Sequence, residues 1–403
     1  MHCCGDLFQE SLLYSQRWIV TLIRNSRTIG QATDGRDNNF NLLRMIAASS
    51  VLISHSWSIA FSTTRGEPLT SFTPFSLGQL SVTLFFGLSG FLITKSFDNR
   101  RSATEFVIAR VFRLYPGLLV SLILCVFVIG SLFTVERLSL YFSDPMTWKF
   151  IPAGLSLFRL KYQLPGVFEH NPHGGVNGSL WTLYYEVFCY ICVALVGFGG
   201  MLAPRVFTAV IIAYLAVYTY LRIHLGASAS MGGYTELSLP FALGAAIYVY
   251  RTRIPLNAIV LVSLFLGVVL LQRSPLYREA IVFTVVYGTF WLGLLRSRLV
   301  LRYNLLGDYS YGMYIFAFPV QEALVASFPG VAPWQMIAIA WPMTLILAAL
   351  SWQFVENPVL RKRHVFGELL DRRLRRMFAR PQHIRATVGP APSAQSRLPD
   401  PGD

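Results

Sequence analysis

The residues best placed to do chemistry lie in one apolar stretch, NNFNLLRMIAASSVLISHSWSIAF, where Arg44 and His55 stand 11 positions apart. At about 100° per residue that spacing falls within about 20° of three full helical turns, so both side chains share one stripe about 16 Å apart in rise. With Arg44 at one boundary of a bilayer, His55 comes near the middle of a hydrocarbon core about 30 Å thick. An ionisable side chain at that depth costs at least about 2.5 kcal/mol and is rarely placed there without a use. A neutral imidazole can act as general base on a hydroxyl, and water-poor surroundings favour the neutral form. The competing reading of the same pair is a buried histidine hydrogen-bonded to a neighbouring helix.

Two further groups carry the same kind of signal. Arg110-Val-Phe-Arg113 puts two guanidiniums on one helical face just before Pro116, which is expected to open the next apolar span. Guanidinium forks bind phosphates bidentately and suit a nucleotide-bearing cofactor such as coenzyme A, although a charge anchor is the plainer reading of the arginines alone. In VNGSLWTLYYEVFCY, Asn177-Gly178 reads as a turn outside the membrane, with Glu186 two turns into the following span. A buried carboxylate needs a partner: His55, an acceptor hydroxyl, or an arginine of another helix. Trp181, Tyr184 and Tyr185 fit interfacial anchors and equally fit the stacking of aromatic rings on sugar faces. Tyr309, Ser310, Tyr311 and Tyr314 offer hydroxyls to a ligand or to neighbouring helices. Gly87, Ser89 and Gly90 read first as close helix packing. Glu356 stands at the inner end of the last span, where it can pair with an arginine structurally.

The elements that must position these residues are transmembrane helices. Of the 403 residues 54% are hydrophobic and only 13% charged, with a mean hydropathy of +0.50; that is more apolar side chain than a soluble domain buries. Apolar spans fall near 40–61, 77–97, 115–135, 179–200, 206–223, 234–250, 256–271, 278–295, 306–328 and 334–356, so the expected fold is all-α and polytopic, with about ten crossings. Spans 234–250 and 256–271 are short for a crossing. A cytoplasmic amino terminus leaves only Arg65, Arg137, Lys149, Arg159, Lys161, Arg222, Arg273 and Arg278, of 34 basic residues, on the far side, which satisfies the positive-inside rule with both termini cytoplasmic. The net charge of +14 therefore reads as topology, with membrane lipid and not nucleic acid as the partner. Three segments follow: a cytoplasmic, interfacial stretch 1–36, a transmembrane domain 37–360, and a tail 361–403. The tail's Arg372, Arg373, Arg375 and Arg376 suit a helix on anionic lipid, and its end from Pro381 reads as disordered. Cys3, Cys4, Cys125, Cys189 and Cys192 form no secreted disulfide framework, and Cys189 and Cys192 read as packing rather than a redox or metal pair.

Six blocks in this order resemble the acyltransferase 3 family of membrane O-acyltransferases, which modify bacterial exopolysaccharide, O-antigen and related glycans. They are the Arg44 and His55 spacing, SVTLFFGLSGFLIT at 81–94, Arg110-x-x-Arg113, NGSLWTLYYE ending at Glu186, GDYSYGMYIFAFP at 307–319, and VENP at 355–358. The resemblance runs from about residue 36 to 362. It departs at Ala317, where many relatives carry a histidine.

That resemblance implies acyl transfer, with acetyl-CoA as the commonest donor and no metal, from the cytoplasm to a hydroxyl of a carbohydrate or glycolipid at or beyond the inner (plasma) membrane. In those terms Arg44, Arg110 and Arg113 hold coenzyme A phosphates. His55 takes the acceptor proton or relays the acyl group, Glu186 supports the acceptor side, and Trp181, Tyr185 and Tyr311 meet substrate. The rival from another class is a proton-coupled secondary transporter or flippase for a sugar or glycolipid, since mid-membrane His and Glu also mark carriers.

Overall fold

A computed structural model describes residues 27–35, 38–64, 66–100, 102–224, 229–295, 303–304 and 306–378. The expectations for the segment before residue 27, for Arg65, Arg101, Arg296, Arg298 and Arg302, for Cys3 and Cys4, and for the chain beyond 378 fall outside the described residues. Within them every regular element is helical, and the only extended pairings are two isolated bridges, Thr28 with Pro255 and Thr134 with Val167.

In chain order the helices are α1 (Ile29–Thr33), α2 (Phe40–Phe61), α3 (Leu77–Arg100) and α4 (Ala103–Ile123), the last prolonged by a π-helical turn, Leu124–Ile129, and a final turn, Gly130–Phe133. Two short helices follow, α5 (Leu138–Ser143) and α6 (Pro145–Ser156). The second half holds α7 (Trp181–Phe198), α8 (Pro204–His224), α9 (Ala229–Val249), α10 (Ala258–Leu270), α11 (Tyr277–Gly293) and α12 (Ser310–Ser327). The last helices are α13 (Pro333–Ser351) and, across a π-helical turn Trp352–Glu356, α14 (Asn357–Phe378).

Each of the ten apolar stretches read from the sequence is helical, but among the described residues six helices are long and apolar enough to cross a membrane: Phe40–Phe61, Leu77–Asn99, Ala103–Phe133, Gly178–Phe198, Pro204–His224 and Pro333–Arg363. Their outer faces require lipid. On α8 only Phe207 is buried, α10 buries nothing, and side chains such as Leu132 (71%) and Ile223 (70%) are exposed, an apolar surface far beyond what water tolerates. The protein is a membrane protein.

Pro116 does not open the third span. α4 begins at Ala103, where the Ser102 hydroxyl accepts the Glu105 amide at 3.4 Å, and Pro116 is inside the helix, so Arg110 and Arg113 are helical residues that point into the bundle. At the other end of the chain, the Asn357–Phe378 helix is not free: Phe366 packs on Phe112 of α4, ring centroids 5.5 Å apart.

α12 is the axis of the molecule, buried from Ser310 to Val320 without a break. Pro319 lacks the N–H that would satisfy the Ile315 carbonyl one turn earlier, and that carbonyl instead accepts Asn177 Nδ2 at 3.0 Å and Ser121 Oγ at 3.2 Å. This buries the Asn177-Gly178 segment within the protein: Asn177 is 1% exposed. Gln321 ties α12 to α2 through the Leu52 carbonyl and Ser56 Oγ, both at 2.8 Å.

α3 and α9 cross in backbone contact. A Cβ at Gly90 would overlap the Phe241 carbonyl, and one at Gly244 would overlap the Gly87 carbonyl, so the glycines of the second block serve packing. Gly90→Ala is expected to lower the thermal midpoint in detergent by an amount equivalent to about 3 kcal/mol, the upper end for overpacking, because the obstacle is main chain and cannot change rotamer. A melt within error of the parent would refute this crossing.

Candidate active site

The α12 stripe Tyr311, Tyr314 and Phe318, at helical spacings of three and four, runs along two cavities. The first, of about 110 Å³, is lined by Arg44 of α2, Ser89 of α3, Arg110 and Arg113 of α4, and Glu186 and Tyr190 of α7, with Tyr311 and Tyr314. The second, of about 620 Å³, is lined by His55 of α2, Glu67, Gln79 of α3, His173, Trp181 of α7 and Phe318. Val82 and Tyr314 line both, and the Tyr314 hydroxyl at this junction is 2.7 Å from Thr182 Oγ1. Among the described residues no lysine or arginine lines the histidine cavity, whereas three arginines line the other.

The arginines are organised by a residue that the sequence reading passed over. Asp308 Oδ2 accepts Arg113 Nη2 at 2.5 Å and Arg44 Nη1 at 2.7 Å, while its Oδ1 accepts the Ser310 hydroxyl at 2.5 Å. Arg113 also approaches Glu356 at 3.8 Å and lies over the rings of Tyr311 and Trp352. Glu356, expected to pair with an arginine, has Arg113 at that 3.8 Å; it is 1% exposed and accepts the Ser351 hydroxyl at 2.9 Å. Arg110 is stacked over Tyr190, 5.8 Å from its ring centre.

Glu186 stands with the arginines and not with His55. It accepts the Tyr190 hydroxyl, and the Ser89 hydroxyl at 3.3 Å. Five residues separate it from Trp181, a rotation of about 140° on a helix, which is why Trp181 faces the histidine cavity while Glu186 faces the other. Tyr185 lines neither; it packs on Trp181, Tyr184 and Tyr234. Tyr311 lines the arginine cavity and donates its hydroxyl to the Leu114 carbonyl at 2.8 Å.

His55 stacks edge-on against Phe318 at 5.8 Å, and its Nδ1 is buried without a hydrogen-bond partner among the described residues, so no neighbouring helix satisfies that nitrogen. Beside it, Ser54 donates to the buried carboxylate of Glu67 at 2.6 Å. Ala317 is 1% exposed and lines neither cavity. Cys125, Cys189 and Cys192 carry free thiols.

Residues 37–353 match the acyltransferase domain family. The chain belongs to this acyltransferase family. It is similar to an O-acetyl transferase of Shigella phage Sf6, 27% identical over 81% of this chain and 97% of that protein. It is likewise similar to Nodulation protein 10 of Rhizobium leguminosarum bv. viciae, 26% identical over 85% of this chain and 97% of that one. No solved structure matches it. As a member of this acyltransferase family the protein is an enzyme, whose substrates are an acyl donor and an acceptor.

Proposed function

We propose that this acyltransferase moves an acyl group, acetyl in the first instance, from acyl-CoA on the cytoplasmic side of the inner (plasma) membrane to a carbohydrate hydroxyl on the outer side. The observation that carries this reading is the pair of cavities of opposite chemistry that abut at Val82 and Tyr314. One α2 stripe supplies Arg44 to the first and His55 to the second.

Arg44, Arg110 and Arg113 answer the phosphates of coenzyme A, for which guanidinium forks are suited. Glu186, within the same cavity, orients the donor end. In the histidine cavity Trp181 offers an aromatic face, and hydroxyl, carboxylate and amide side chains such as Ser58, Thr70, Glu67 and Gln79 suit a polyhydroxyl acceptor with no anionic group at the reacting end. The acceptor oxygen bonds to the thioester carbon and the C–S bond breaks with its electron pair on sulfur. The hydroxyl proton leaves to a base, and the thiolate is protonated from the cytoplasmic side. His55 meets the acyl group at the junction, taking that proton or relaying the acyl group.

Membrane vesicles containing the protein, given radiolabelled acetyl-CoA, should transfer base-labile label to their glycan fraction and release free thiol in equal amount. Glycan that crosses the membrane unlabelled, with no thioester cleaved, would mean a transporter.

A further inference from the structure

The histidine cavity contains a second imidazole whose setting differs from that of His55. His173 arrives on the segment drawn in by Asn177, and its ring stands edge-on to Phe318 at 5.1 Å, so Phe318 carries both histidines. Its Nδ1 is 3.2 Å from Glu322 Oε1, a carboxylate 0% exposed, while the His173 side chain is 39% exposed. Asn171 of the same segment fixes the other carboxylate oxygen, donating Nδ2 to Oε2 at 2.7 Å and to the Glu322 carbonyl at 2.9 Å.

Nδ1 is the ring nitrogen on the Glu322 side, 3.2 Å from Oε1 and without an aligned hydrogen bond, which leaves Nε2 for a ligand in the cavity. A ring that takes a proton from a hydroxyl at Nε2 becomes an imidazolium beside a buried carboxylate, and the two then attract as an ion pair. Asn171 holds that carboxylate in place. The Nδ1 of His55 has no partner among the described residues.

We infer that His173, positioned by Glu322, is the base that takes the proton of the acceptor hydroxyl, leaving His55 to serve the acyl group at the junction. This rests on the transfer reaction proposed above. As the acceptor oxygen bonds to the acyl carbon and the C–S bond breaks toward sulfur, the hydroxyl proton moves to His173 Nε2. From there it passes to water in the open cavity. His173 touches the acceptor and is catalytic; Glu322 acts through it and is a positioning residue.

The test uses the full chain in membrane vesicles with labelled acetyl-CoA. His173→Ala should lower label transfer to glycan about 10²-fold, the low end for loss of a general base because the rest of the site is intact, with the affinity for acetyl-CoA unchanged. Added imidazole should restore part of the transfer, which no merely structural role would allow. Glu322→Gln, which keeps size and the Asn171 contacts, should lower kcat about tenfold with KM for acetyl-CoA unchanged. His173→Gln repeats the test should the alanine variant fail to elute as a folded monodisperse species. Transfer within twofold of the parent in either His173 variant, or an equal loss of acetyl-CoA binding, overturns the assignment. If the parent itself transfers no label, the reaction proposed above has failed, and that outcome is distinct from a parent that transfers and a His173 variant that does so equally.

Discussion

Replacing His55 with alanine should reduce acyl transfer by about 10⁴-fold or to background, while the protein still inserts, folds and binds acetyl-CoA. The expected loss is at the top of the range for an acid–base or nucleophilic group, because the proposed reaction has His55 take the acceptor proton or relay the acyl group. Its ring packs on Phe318 without a polar bond from Nδ1 to the protein, so the truncation leaves no charge or buried donor orphaned and stability should fall by no more than a cavity of that size allows, about 1–3 kcal/mol. Acetyl-CoA binding, measured by displacement of labelled ligand in detergent, separates the two effects. Retained acetylation of surface glycan, read as the mass of one acetyl group per site, would remove His55 from the mechanism. A loss of donor binding as large as the loss of transfer would make it structural instead.

What the sequence revealed and what it hid follow from the range of the contacts. The Arg44 and His55 stripe was legible because both lie on one helix, where spacing alone fixes the face. Trp181 and Glu186 are about 140° apart on one helix, and each lines a different cavity, a division that the same arithmetic makes legible. Asp308 and the pairing of His173 with Glu322 were illegible. Each joins residues 149 or more positions apart, Asp308 to Arg44 and Arg113 and Glu322 to His173, and a lone Asp before a helix or a His in a loop is an ordinary sight. Pro319 was the missed clue. A proline inside an apolar helix leaves a carbonyl that something must satisfy, and the group that does so, Asn177, brings the His173 segment to the site. The apolar helices themselves were visible throughout, but α9 to α12 are the helices outside the six long apolar ones. α12 owes its apolar character to burial by protein along most of its length, which composition cannot tell from burial by lipid.

Arg113→Ala is expected to weaken acetyl-CoA binding about 10²-fold, close to 3 kcal/mol, and to do so more than it weakens acceptor binding. The guanidinium is 16% exposed and shares Asp308 Oδ2 with Arg44, so it is held rigidly, and rigid forks lose little entropy when they meet phosphate. Lysine at 113 should recover less than half of that free energy, because it keeps the charge and loses the fork. Equal losses for both ligands would leave Arg113 as an anchor only.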